Sequence, residues 1–112
     1  MMYADYIKEI HGDECVETEE GFATYRFIDD SGVPSVYIID IYVRPDFRKS
    51  MAASHMADQI VELAKKRGCR RLLGTVNMSI KDPTSSAKFL FRYGMQLYVS
   101  SPNSIIFKKE LV

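Results

Sequence analysis

The stretch VYIIDIYVRPDFRKSMAASHMADQIVELAKKRG, residues 36–68, decides how this chain is read. Val36–Val43 is apolar apart from Asp40, and most of it is β-branched or aromatic. Continuous apolarity of that length predicts a central strand covered on both faces. Pro45 ends the run, because it has no N–H to give a ladder. Ser54–Arg67 then places Met56, Ile60, Leu63 and Ala64 at helical spacing, with Lys65, Lys66 and Arg67 suited to the negative end of its dipole and Gly68 as its stop. Between strand and helix lies a basic turn carrying Arg48 and Lys49. A helix N-terminus offers backbone N–H groups and the positive end of a dipole, so this turn suits a phosphate or pyrophosphate. An ordinary strand-to-helix connection is the alternative.

Working outward, Tyr3, Tyr6, Ile7 and Ile10 have helical spacing, and Gly12 follows as a stop. Phe22–Ile28 alternates as a strand, and the Asp-Ser-Gly-Val-Pro turn after it predicts a hairpin with Val36–Val43. RRLLGTV, residues 70–76, is the next strand. A helix entered near Asp82 or Thr84 carries Phe89, Leu90 and Tyr93 and stops at Gly94. MQLYVSS and SIIFKKEL close the described pattern as a hairpin around Ser-Pro-Asn. The expected fold is α/β (α+β), a mixed central sheet flanked by helices in the order α-β-β-α-β-α-β-β. Its central β-α-β should be a crossover between parallel strands.

At 112 residues the expectation is a single domain, 1–112. No apolar run approaches the roughly 20 residues that span a bilayer, and the acidic start lacks the order of a secretory signal, so the expected location is cytoplasmic and away from membrane. Cys15 and Cys69 form no C-x-x-C, and His11 and His55 have no neighbour at metal-ligand spacing, so no metal is expected. The net charge of zero hides a division: residues 1–35 hold nine acids and two bases, net −7, and the remainder carries +7. That asymmetry points to one cationic and one anionic partner, or to two halves that neutralise each other. The basic residues are scattered without an interleaved aromatic stripe, which argues against a nucleic-acid partner.

VRPDFRKSMAASHM resembles the acetyl-CoA-binding segment of the GNAT superfamily of N-acetyltransferases, V-x-P-x-x-[RQ]-x-x-G-x-[GA]-x-x-L. Val43, Pro45 and Arg48 match, Ala53 fits the last small position, Met56 stands for the leucine and Met51 for the first glycine. SSAKFLFRYGMQLY is similar to the later A-x-x-L-Y-x-x-x-G-F segment, with Ser86, Gly94 and Met95 in register and Leu90 where that pattern has tyrosine. The agreement in order runs from about Gly21 to the C-terminal strand.

The resemblance implies a central strand that splays from its neighbour after a bulge, with its edge at Ile41, Tyr42 and Val43 pairing with the pantetheine amides of acetyl-CoA. Backbone N–H groups across Arg48, Lys49, Ser50, Met51, Ala52 and Ala53 would take the pyrophosphate, and Ser85 would bond the cofactor or cap its helix. An amine acceptor then attacks the acetyl carbonyl directly. Asp40, the charge in an apolar strand, is the candidate base or amine ligand, with a structural salt bridge as its alternative. Tyr93 is the weaker candidate for the acid that protonates the leaving thiolate, since it lies about 300° round the helix from Leu90. A glycine replaced by Met51 costs about 1 kcal/mol if its φ must be positive and much less if its backbone is helical. The acceptor is a polyamine-like molecule or a protein amine, and the short N-terminal region implies either an open site for a macromolecular amine or a site completed by the second subunit of a homodimer. A catalytically silent GNAT-fold module that binds a protein is the alternative.

Overall fold

The computed structural model describes residues 2–47, 51–77 and 83–111, with the backbone alone described at 77 and 83–87. Helix α1 spans Met2–His11, and strands β1, β2 and β3 span Glu14–Glu17, Gly21–Asp30 and Val33–Val43. A 3₁₀ turn at Pro45–Phe47 precedes helix α2, Ala52–Lys66. Strand β4 (Arg71–Asn77), helix α3 (Pro83–Arg92) and strands β5 (Gln96–Ser100) and β6 (Ser104–Glu110) follow. The described strands form a mixed sheet in the order β1-β2-β3-β4-β6-β5, with β3 and β4 parallel and the other neighbours antiparallel.

The mixed sheet is the expected one, with a correction to the element order: β1 is an additional strand ahead of β2. Its sequence, Glu-Cys-Val-Glu, has no apolar alternation, and pairing with β2 holds it in place. The β2–β3 hairpin closes tightly through Ser31 and Gly32, both at positive φ (51° and 89°), a turn whose twist matches that of the strands it joins. Asp29 accepts the Gly32 N–H at 3.1 Å.

One side of the sheet carries the main core. Val36 and Ile38 of β3, Leu72 and Val76 of β4 and Phe107 of β6 pack with Met56, Ala57 and Ile60 of α2 and Leu90 of α3. Helix α1 lies on the other side and buries Ile7 alone among its residues. No described helix is long and apolar enough to cross a membrane.

Strand β3 changes character half-way along. Tyr25 pairs with Ile38 but Thr24 pairs with Asp40, so Ile39 is an inserted residue, a β-bulge. Before it the core side chains are Val36 and Ile38; after it they are Ile41 and Val43. A strand has period two, so one extra residue must shift which parity faces the core. Ile39, Asp40 and Tyr42 are consequently exposed. The expectation of cover on both faces holds for Ser35–Ile38 and is corrected for Ile39–Val43: the bulge turns residues of the second half away from the core.

Candidate active site

The parallel β3–β4 ladder runs from Ser35–Arg71 to Ile38–Gly74 and stops there, although β3 continues to Val43 and β4 to Asn77. The stop coincides with the bulge at Ile39. Two adjacent strands that cease to pair while still extended diverge, and the sheet opens a gap between them. The Tyr37 and Thr75 hydroxyls are hydrogen-bonded to each other across β3 and β4 at the foot of this gap. On the helix side Leu90 packs over Gly74, where an added Cβ would come within 3.3 Å of the leucine side chain.

The opposite ladder, β2–β3, holds the second half of β3 in place. Gly21 pairs with Val43, and a Cβ at Gly21 would stand 1.9 Å from the Tyr42 carbonyl oxygen. Only glycine permits that approach. Arg44 donates its N–H to the Glu20 carbonyl at 2.7 Å, extending the contact one step past the strand. The mouth of the gap thus has one fixed wall.

Helix α2 starts beside the end of β3. Met51 occupies its N-cap position with φ −89° and ψ 22°, its side chain makes no capping bond, and the first turn carries no acid. A negative φ means that the methionine sits there without the strain a left-handed backbone would impose. Its side chain is 63% exposed and points away from the core. Ala52 is buried and Ala53 half-buried. Arg48, Lys49 and Ser50 lie outside the described residues, as does the side chain of Ser85 on α3.

Asp40 is exposed on β3 immediately after the bulge, and among the described residues its carboxylate makes no hydrogen bond or ion pair. The salt-bridge alternative therefore has no partner there, and the carboxylate is not covered as its apolar neighbours in sequence would suggest. Tyr93 is half-buried and its hydroxyl donates to Asp58 of α2 at 2.6 Å. Desolvation, then the bond to Asp58 and that carboxylate's charge, push its pKa well above the ordinary tyrosine value. Lys109 donates to the Tyr93 carbonyl at 3.0 Å and lies 4.7 Å from the ring centroid. Leu90, at the position of the motif's tyrosine, is buried and brings no hydroxyl.

The sequence reading missed an aromatic run on the α1 side. Tyr3, Phe22 and Tyr42 are in contact in series: Tyr3 is tilted by 49° against Phe22 at a centroid separation of 4.6 Å, and Phe22 stacks on Tyr42 at 5.4 Å. In the sequence Tyr3 and Phe22 are accounted for by helical and strand periodicity alone. The pairing of Phe22 with Tyr42 follows from the register, which the bulge sets.

The family model described as Acetyltransferase (GNAT) family matches residues 16–84, which include β2, β3, the turn and α2. The chain belongs to the GNAT family. Among solved structures, this GNAT chain is similar to a GNAT-family acetyltransferase from Desulfovibrio desulfuricans, at 17% identity and TM-score 0.78 over 98% of this chain and 78% of that one. It is similar to an acetyltransferase from Bacillus subtilis in complex with CoA, at 13% identity and TM-score 0.71 over 96% and 84% of the two chains. It is also similar to the PaiA N-acetyltransferase from Thermoplasma acidophilum in complex with coenzyme A, at 14% identity and TM-score 0.69 over 81% of this chain. The GNAT chain spans 53% of the Thermoplasma protein's length. No curated protein matches it by sequence.

Proposed function

We propose that this GNAT chain is an N-acetyltransferase that moves the acetyl group of acetyl-CoA directly onto an amine. The observation that carries the reading is the end of the β3–β4 ladder at Ile38–Gly74, one residue before the bulge and on the path to the α2 N-terminus. A pantetheine arm laid along Ile41–Val43 would reach into the gap, and the pyrophosphate would meet the turn from Arg48 to Ala53. Coenzyme A complexes among the similar structures support this.

The reaction asks for placement of the amine against the thioester, removal of a proton and stabilisation of the oxyanion. Orientation alone supplies roughly 7–11 kcal/mol in the best cases. Asp40, exposed beside the gap, is the base or ammonium ligand. Tyr93 commits its proton to Asp58, which supports a holding role between α3 and α2. The thiolate then leaves without an enzymic acid, which a thiol pKa of about 8.5 allows.

Calorimetric titration with acetyl-CoA tests the reading. Saturable binding in the range of roughly 1 µM to 1 mM, with transfer to some member of an amine panel, is expected. Absence of both acetyl-CoA and CoA binding at about 1 mM would overturn it. Buried Leu90 in place of the motif's tyrosine favours a second reading, a silent module of the same fold, whose mark would be CoA binding without transfer.

A further inference from the structure

The aromatic run lies on the face opposite α2. Ile41 and Val43 pack toward the α2 core, so Asp40 and Tyr42 project from the other side of β3, where α1 sits. Tyr3 is 37% exposed, Tyr42 41% and Tyr6, one turn along from Tyr3, 52%. Asp40 stands two residues before Tyr42, about 7 Å along the strand, with no partner among the described residues. The Tyr3 hydroxyl is pushed up by desolvation, then by the negative fields of Cys15, Asp40 and Glu17, so the ring lies within electrostatic reach of Asp40. Glu17 is already engaged, accepting the Ala4 N–H of α1 at 2.6 Å.

Ring faces attract ammonium groups, and rings in series give methylene segments a surface to lie on. A carboxylate at one end fixes the direction of the chain. Glu17, the cross-strand neighbour of Phe22, and Glu19 and Glu20 in the turn that leads into β2 add negative charge at this end of the sheet, which draws a polycation to it.

We propose that the strip Tyr3–Phe22–Tyr42, ending at Asp40, is the acceptor platform and takes a linear polyamine, an extended chain with ammonium groups spaced by methylenes. The proposal rests on the acetyl-transfer reading above. A single lysine side chain would engage one end of the strip, whereas a linear polyamine engages the rings and the carboxylate together. The two substrates then approach from opposite faces of the sheet, CoA phosphates from the α2 side and the amine from the α1 side, and meet in the gap. There the terminal ammonium gives up a proton, the nitrogen lone pair forms the C–N bond, and the C–S bond breaks with its electrons on sulfur. The nitrogen sheds a second proton as the amide forms. One of the two protons balances the uptake by thiolate, and the other passes to solvent through Asp40.

The test is an NMR titration of the full chain, ¹³C-labelled at tyrosine, with spermidine in the absence of acetyl-CoA. Tyr3 and Tyr42 ring resonances should shift saturably, and an uncharged diol of matching length should leave them unmoved. Asp40→Asn should weaken spermidine about five-fold, the upper range for an exposed ion pair. Tyr3→Leu and Tyr42→Leu should each weaken it about 2- to 5-fold. Asp40→Asn is isosteric at an exposed position, so it keeps the test decisive if a ring variant does not fold. Unmoved strip resonances, wild-type affinity in both Asp40→Asn and Tyr3→Leu, or tighter binding of a lysine peptide than of spermidine would each overturn the platform. Adding acetyl-CoA to the same sample separates the two readings. Spermidine shifts without acetyl-CoA binding keep the platform and remove acetyl transfer; the converse removes the platform alone.

Discussion

The two halves of β3 differ in both pairing and exposure. Ser35–Ile38 is laddered on both sides, and Ser35 and Val36 are wholly buried. Beyond Ile39 the strand keeps its ladder to β2, loses that to β4, and turns Asp40 and Tyr42 outward. One continuous apolar segment thus serves first as scaffold and then as site. The change needs no loop and no special residue, only an inserted one.

Truncating the scaffold half should have the largest effect. Ile38→Ala, at a buried position, is expected to cost about 2–5 kcal/mol in urea unfolding, and Ile39→Ala, at 40% exposure, less than about 1. Equal losses would erase the distinction between the halves. Next, Gly21→Ala forces β2 from the Tyr42 carbonyl and should cost about 1–3 kcal/mol. It should also weaken acetyl-CoA more than Ile39→Ala does, read by calorimetry on folded protein, because it moves the one wall of the gap that is fixed.

Tyr93→Phe removes the hydroxyl bonded to Asp58 and should cost about 1 kcal/mol at neutral pH, with turnover kept within about three-fold. A loss of about 10²–10⁴ in rate would instead mark Tyr93 as the acid. The folded-state pKa of Tyr93 is raised, so the unfolded chain loses this proton first as pH rises. Its stabilising contribution is complete below about pH 10 and declines above it. Tyr93→Phe should flatten that alkaline decline in urea midpoints. The smallest effect belongs to Met51→Gly: with φ already negative and the side chain exposed, acetyl-CoA affinity should change less than about five-fold and stability by about 1 kcal/mol or less.

Much of the fold was legible because periodicity and turn chemistry agree. Ser31-Gly32 closes the expected hairpin, and α2 and α3 begin within two residues of their expected starts. Strand β1 was not legible, since Glu14 and Glu17 supply half its residues and tertiary pairing alone makes it a strand. The bulge was implied by family resemblance yet unmarked by glycine, proline or charge at Ile39. That silence is why Asp40 reads as covered although it is exposed: a run of apolar residues reads as cover on both faces, and nothing in it shows where the cover stops. The aromatic strip was hidden for a related reason. Tyr3, Phe22 and Tyr42 lie far apart in the chain, and only the shifted register brings the last two level.

A ribbon of period two has only two phases, and Ile39 slips β3 from one to the other. In the language of inheritance, this makes length a trait at that place as much as identity. Many codons at position 39 would preserve the slip, because the inserted side chain faces solvent. Loss of the codon for residue 39 would remove the bulge and let the sheet's open half run on as an ordinary ladder, with Asp40 and Tyr42 still on the face they occupy now. Selection for an open sheet here would act first against deletion and only then against substitution.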